Sequence, residues 1–324
     1  MKFRSLEVLF SPTQACNLRC SHCHLEKSNL KLPVSTAKKF LKECQNTGIK
    51  KVGFTGGEPF LYPEFLYKIT KYTVSSGLYF DCLMTNGVWY KDKEHLYAVL
   101  SRLNSCGYDG KICVSVDAFH NQNLDKVALF IKTAFDVWNR GDLISIASVI
   151  GKDDEKTINK LEKLAYKLNG RFKKFSDRAM GITCLESFIQ IAFIELSDIG
   201  KIRNSQKQWD GRWFREDFCE GPGNVFMVMS DGAVKPCCGY ANRHKLLTIG
   251  NIFKDTPGDI LNNIKNNFFT KLIFTIGLTG IRKKMAMRHI KFPGTTGNQC
   301  FFCNYLLENF SENFLRDILT NASE

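Results

Sequence analysis

No apolar run in this sequence comes near the roughly 20 residues that a bilayer-spanning helix needs. The longest in the C-terminal half, Leu272 to Leu278 with Phe268 and Phe269 ahead of it, is interrupted by Thr270 and Lys271. The first ten residues lack the long apolar segment of a secretory signal, so a disulfide framework is not expected and the thiols are read against a reducing cytoplasm. Internal repeats and low-complexity stretches are missing too. Acid is in deficit: 32 Asp and Glu stand against 45 Lys and Arg, a net charge of +13. Such a charge fits a polyanionic partner and fits a lysine-rich genome equally well. Basic residues concentrate at 171–174 and 282–284, but no RNA- or DNA-binding motif accompanies them, so no nucleic-acid partner is expected.

Cysteine is what the chain has in plenty, 13 in 324 residues, and the cysteines cluster. Cys16, Cys20 and Cys23 are spaced C-x3-C-x2-C. Three thiolates so close can hold three corners of a four-iron cluster and leave the fourth iron open to a small molecule. A zinc site completed by His22 or His24 is the alternative on spacing alone.

Through the first half, short β-rich runs alternate with helical patterns. Strands are expected over 8–11, 51–55, 79–84, 111–116, 143–150 and 171–175, and helices over 34–45, 63–75, 93–103, 123–138 and 155–168. Strands too apolar to have one wet face imply a parallel sheet. The fold expected is therefore α/β: a partial (β/α)6 barrel over 1–185, with chemistry at the C-terminal ends of its strands. The cysteine triplet follows the first of these strands. Beyond residue 185 the alternation stops, and 186–324 is read as a small cluster-binding domain. It has strands over 189–196, 225–229 and 233–235, a hairpin at Ser230-Asp231-Gly232 and a helical segment over 258–290.

Gly56-Gly57-Glu58-Pro59 follows the second strand. Two glycines let backbone approach a ligand closely, and the proline stiffens the exit. Glu58 offers a carboxylate acceptor for the N–H groups of a ligand on the open iron. With both motifs in place, the chain resembles the radical S-adenosylmethionine (SAM) enzymes. The resemblance implies a [4Fe-4S] cluster on Cys16, Cys20 and Cys23, with SAM bound by Gly56, Gly57, Glu58 and Pro59. It further implies SAM contacts from Thr85-Asn86-Gly87 and from Ser115 and Asp117. An electron from the cluster then cleaves SAM to a 5′-deoxyadenosyl radical that abstracts a substrate hydrogen, which requires an electron donor such as a flavodoxin or ferredoxin.

In the second half, Cys219, the doublet Cys237-Cys238, and Cys300 with Cys303 in a C-x2-C turn offer a four-thiolate cage, which suits a second [4Fe-4S] cluster or zinc. This layout resembles a shortened SPASM/twitch auxiliary-cluster domain. Counting Cys219, Cys237, Cys300 and Cys303 as ligands leaves Cys238 spare, although the doublet can exchange roles. Adjacent side chains of an extended segment point opposite ways, so one cysteine can face the cluster and its neighbour the barrel mouth.

In so short a chain the arrangement is similar to that of the radical SAM peptide epimerases. That likeness implies removal of a Cα hydrogen from an L-residue of a ribosomally made precursor peptide and return of a hydrogen by the Cys238 thiol to the opposite face. Thioether or carbon–carbon crosslinking, side-chain oxidation by a maturase, and a non-catalytic iron–sulfur or zinc protein are the competing readings. Cys16 stands too early for a preceding winged-helix leader-binding domain, so the peptide is expected to dock directly, at Lys173, Lys174 and Lys235. Cys44, Cys82, Cys106, Cys113 and Cys184 are expected to act as small buried hydrophobes, and His120 as a loop anchor or substrate contact.

Overall fold

The structure is a computed structural model that describes residues 5–23, 25–150, 155–176, 179–184, 187–196, 209, 211–214 and 222–320. Five βα units come first: β1 (Glu7–Phe10) and α1 (Val34–Cys44), β2 (Lys51–Phe54) and α2 (Pro63–Ser75), β3 (Tyr79–Thr85) and α3 (Lys93–Ser105), β4 (Lys111–Ser115) and α4 (Leu124–Trp138), and β5 (Ile144–Ile150) and α5 (Glu155–Lys167). All five strands pair in parallel with their sequence neighbours. Val8, Phe10, Val52, Phe54, Ile112, Val114 and Ile146 are fully buried. Alternate residues of each strand thus pack beneath the helices, and the other face of the sheet lines the barrel lumen. Local chemistry marks the helix ends. Asp92 accepts from His95 N at the start of α3, Asn123 caps α4, and α4 stops at Asn139 in the left-handed region (φ 47°).

The sixth strand differs from expectation. Residues 171–175 belong to β6 (Arg171–Ser176), which pairs antiparallel with β7 (Ala179–Cys184), and β7 in turn pairs antiparallel with β8 (Ser187–Glu195). It is β8 that lies parallel beside β5, with Ala147 opposite Ala192. The composition explains the exchange. Arg171, Lys173 and Lys174 are exposed, which suits a sheet edge, whereas Ser187–Glu195 is predominantly apolar and can be buried in the sheet. The parallel part of the sheet therefore continues past residue 185.

Beyond it, β9 (Val225–Val228) pairs in parallel with β1, and the expected hairpin brings β10 (Ala233–Lys235) back antiparallel to β11 (Gly250–Asn251) and β9. One sheet results, in the order β11-β10-β9-β1-β2-β3-β4-β5-β8-β7-β6. The helical segment expected over 258–290 is two helices, α6 (Pro257–Asn266) and α7 (Phe268–Met287), divided at Asn267. Asn267 accepts from Thr270 N as the cap of α7, and α7 is kinked at Gly277 (φ 73°). α8 (Gln299–Asn309) and α9 (Glu312–Thr320) follow. No helix among the described residues is long and apolar enough to cross a membrane.

Candidate functional site

The cysteine loop leaves the C-terminal end of β1 and is stitched to the glycine motif after β2. Gly57 N donates to Thr13 O (2.9 Å) and Glu58 N to Ala15 O (2.8 Å). A Cβ on Gly56 would stand 2.8 Å from Ser11 Oγ and Thr13 O, and one on Gly57 would stand 2.7 Å from Gln14 O and nearer still to Ala15 O. The two glycines therefore set how closely the cysteine loop approaches the second strand. Gly57→Ala is expected to force the two backbones apart and destabilise the protein by at least about 1–3 kcal/mol. Denaturant unfolding of the apo-protein measures this, and an unchanged midpoint would show that the contact does not matter.

Glu58 is fully buried. Its carboxylate accepts from Thr85 Oγ1 (3.0 Å), Asn86 N (2.8 Å) and Phe60 N (3.1 Å), which ties the end of β2 to the end of β3. Burial outweighs these bonds and pushes the carboxyl up to about 7. Oε2 takes only the Asn86 bond and keeps acceptor capacity for a further N–H donor. Pro59 is buried directly behind it. The Ser11 hydroxyl, also fully buried at this mouth, has no partner among the described residues.

A network unannounced by any local motif continues around the mouth. Asn86 Nδ2 donates to Asn17 Oδ1 (2.8 Å) and lies 3.8 Å from Cys16 Sγ, to which Leu18 N donates (3.4 Å). Gln122 Nε2 clamps Asn86 O (2.6 Å) and Ser115 O (2.7 Å). The Lys160 ammonium, reaching in from α5, caps Asp117 O (2.8 Å) and His120 O (2.5 Å). Asp117 is fully buried and accepts from Phe119 N, His120 N and Val149 N, and it pairs with His120 Nδ1 at 2.8 Å. Burial alone would raise its pKa; the His120 bond and the nearby His120 and His22 charges outweigh that and hold it below the usual carboxylate range. The His120 ring meets His22, between Cys20 and Cys23, edge-on at 4.7 Å. His120 thus anchors the mouth loops, as one of its two expected roles requires.

The donor set of the triplet fits an iron–sulfur cluster. Burial raises the Cys16 thiol, and burial together with the charges of Cys16 and Cys23 pushes Cys20 up to about 12, so a metal must displace the protons. Among the described residues, the one trio of ligand atoms within 4.8 Å of one another is His22, Asp117 and His120, not three thiols. Three thiols on one loop match the donor set of a four-iron cluster with one open iron, whereas a structural zinc would need a fourth ligand. His24, the other candidate fourth ligand, lies outside the described residues.

Cys300 and Cys303 stand on the first two turns of α8, not in a turn as expected, and are three residues apart on one helix face. Asn298 caps this helix, and Trp209, Phe292 and Tyr305 pack around Phe301 and Phe302 beside the cysteines. A Cβ on Gly239 would lie 3.1 Å from Cys300 Sγ and 4.0 Å from Cys237 Sγ, so these two sulfurs flank one small cradle. Cys303 is buried, Cys238 is exposed, and Cys219 lies outside the described residues.

The doublet does not sit level with the cysteine loop. β9 runs with β1 and β10 runs back, so Pro236 O reaches Gly223 N (2.7 Å), and Gly223 O accepts from Ser5 Oγ (2.7 Å). Cys237 and Cys238 therefore lie beside the N-terminal end of β1, about 13 Å below the mouth at the usual strand rise. Lys235 is buried, with Nζ donating to Thr248 Oγ1 (2.8 Å) and His244 O (3.1 Å), which removes it from any docking surface. Cys44, Cys106, Cys113 and Cys184 are buried as expected; Cys82 is only partly so, and its thiol hydrogen-bonds to that of Cys113.

Residues 10–139 match the Radical SAM superfamily, and residues 219–276 match SPASM, an iron-sulfur cluster-binding domain. The chain thus carries both domains, and its cofactors are SAM, the [4Fe-4S] cluster that binds SAM, and auxiliary iron–sulfur chemistry in the second domain. Among curated proteins, a GTP 3′,8-cyclase of Aquifex aeolicus is 26% identical over 319 residues, which cover 84% of this chain and 89% of the relative. The S-adenosylmethionine-dependent nucleotide dehydratase of Siniperca chuatsi is 36% identical over 85 residues, only 24% of its length. Among solved structures, native anSMEcpe with bound AdoMet and Kp18Cys peptide superposes with a TM-score of 0.57 at 17% identity, over 98% of this chain and 99% of that one.

Proposed function

We propose that this radical SAM enzyme, with its SPASM domain, epimerises residues of a ribosomally made peptide, converting L- to D-residues. The observation that carries the reading is the division of the doublet. The Cys237 and Cys300 sulfurs both border the Gly239 cradle, while the adjacent Cys238 is exposed. The ligand set of the auxiliary cluster is then Cys219, Cys237, Cys300 and Cys303, with Cys238 outside it.

When bound, the cluster on Cys16, Cys20 and Cys23 and its SAM supply hydrogen-atom abstraction. The chain's own residues do the rest. Gly56, Gly57, Glu58 and Pro59 form the binding edge, and Oε2 of Glu58 is the acceptor for the amine of SAM. Asn86, Ser115 and Asp117 complete the mouth, with Gln122 and Lys160 holding them in place. Inversion needs a hydrogen removed from one face of Cα and returned to the other. The mouth and Cys238 stand at opposite ends of β1, a separation that supports a reading in which the two events act from opposite sides of the peptide. Cys238 gives its sulfur-bound hydrogen to Cα, and an electron from the external donor with a proton from solvent restores the thiol.

The Aquifex aeolicus relative favours a second reading, a nucleotide substrate. Reconstituted enzyme with SAM and reductant distinguishes the two. Candidate peptides from short reading frames beside the gene are expected to stimulate 5′-deoxyadenosine formation and to be altered, whereas GTP is not. Turnover of GTP with no response to any such peptide would overturn the proposal.

A further inference from the structure

The sheet ends at β6, whose outer edge is open among the described residues. Directly opposite residues share a face of a sheet, and the register sets Cys113, Ser145, Gln190, Gly181 and Lys173 in one row across β4, β5, β8, β7 and β6. Cys113 and Ser115 belong to the face opposite the helix-covered Ile112 and Val114, so this row runs from the barrel lumen out to the edge strand.

Along it lies an apolar shelf. Gly181 has no side chain, and the Phe188 ring occupies the space where its Cβ would stand. Phe175 meets Phe188 edge-on at 5.6 Å, and the two rings remain 62% and 44% exposed. Beneath them is a cavity of about 260 Å³ lined by Phe175, Ala179, Met180, Phe188, Gln190 and Ile191. Along the same edge strand Arg171, Lys173 and Lys174 are exposed, a basic rim to the sheet. Lysines alone are the ordinary protection of an edge strand. Two exposed phenylalanines meeting edge-on over a cavity are the opposite of protection, and such a patch marks a binding surface.

We propose that this edge docks an extended segment of the substrate peptide, rich in acidic and apolar residues, which adds to β6 as a further strand, seats an apolar side chain at Phe175 and Phe188, and pairs its carboxylates with Lys173 and Lys174. The inference rests on the peptide reading above and names where that peptide is held. Strand addition supplies main-chain hydrogen bonds, and the shelf and rim supply the selectivity. Four strand spacings separate β4 from β6, roughly 19 Å. An extended chain covers that in about six residues, so the docking segment lies at least that far from the residue being modified.

The test uses reconstituted full-length enzyme and fluorescently labelled short peptides that alternate Glu with Leu or Lys with Leu. Wild-type protein is expected to bind the Glu/Leu peptide and not the Lys/Leu peptide, more weakly as salt is raised. The K173E/K174E variant is expected to lose Glu/Leu affinity by about tenfold or more, and Phe175→Ala to weaken it at constant charge. Both variants should retain the unfolding midpoint and uncoupled SAM cleavage of the wild type. Equal Glu/Leu affinity in wild type and K173E/K174E overturns the dock, as does no binding by wild type or tighter binding of a single-stranded oligonucleotide than of the peptide. If the variants still modify a peptide at wild-type KM, the dock fails while the peptide reading stands; if GTP alone is turned over, the peptide reading itself fails.

Discussion

Cys238→Ala is expected to leave 5′-deoxyadenosine formation running and to reduce D-residue formation at least about a hundredfold, since hydrogen return needs a positioned donor within reach. Cys238 is exposed, and its neighbour Cys237 borders the cradle shared with Cys300, so on the proposed assignment the substitution removes a thiol without removing a cluster ligand. The auxiliary-cluster spectrum should therefore be unchanged. Cys237→Ala is expected to do the reverse and perturb that spectrum. Loss of the auxiliary-cluster signal in Cys238→Ala would exchange the roles of the doublet, and undiminished D-residue formation would remove Cys238 from the chemistry.

Glu58→Ala should be the most damaging single change at the mouth. It strands three donors, Thr85 Oγ1, Asn86 N and Phe60 N, at a site with no solvent access. A buried unsatisfied donor costs about 1–3 kcal/mol, so the loss should reach roughly 3 kcal/mol or more even after relaxation. SAM cleavage should fall below detection, because the proposed acceptor for the SAM amine is gone. Glu58→Gln keeps the shape and separates the two roles. It should retain more stability but set one amide N–H₂ against a donor. A pH signature follows as well. Because burial raises the Glu58 pKa from 4.5 to about 7, folded protein binds the proton more tightly than unfolded protein does. This contribution to apo-protein stability is present below pH 4.5 and is lost as pH rises through 7. Glu58→Gln should flatten that slope in pH-dependent unfolding, and an unchanged slope would assign it elsewhere, with Glu7, which burial also raises to about 7, the next candidate.

The parts of the fold and site legible in the sequence are those whose signals are local. Parallel strands covered by helices read as short apolar runs between amphipathic segments, and both chemistry-bearing motifs fall just after a strand. Cys16, Cys20, Cys23 and Glu58 could therefore be placed from spacing and order alone. Strand order is not local. Residues 171–176 look like a strand, and only pairing shows that β6 belongs at the edge while β8 takes the place beside β5. Counting cysteines offers Cys237 as ligand and Cys238 as spare but cannot show which sulfur has a neighbour; the nearness of Cys237 and Cys300 around Gly239 depends on Cys300, far along the chain, arriving on α8. Gln122 and Lys160 were missed for a related reason. Each works through bonds to carbonyl oxygens contributed by distant segments, and a carbonyl has no residue identity for a sequence to display. Lys235 shows the converse: its position beside the doublet made it a candidate docking residue, and its burial against Thr248 shows a structural use instead.

The central claim, net inversion at Cα with hydrogen return from a solvent-exchangeable thiol, is tested most directly by turning over a substrate peptide in deuterated water and following peptide mass together with residue chirality. Each D-residue formed should add the mass of one deuterium at Cα, with no other change in composition. A product lighter by two hydrogens, or a D-residue without deuterium, would contradict the account.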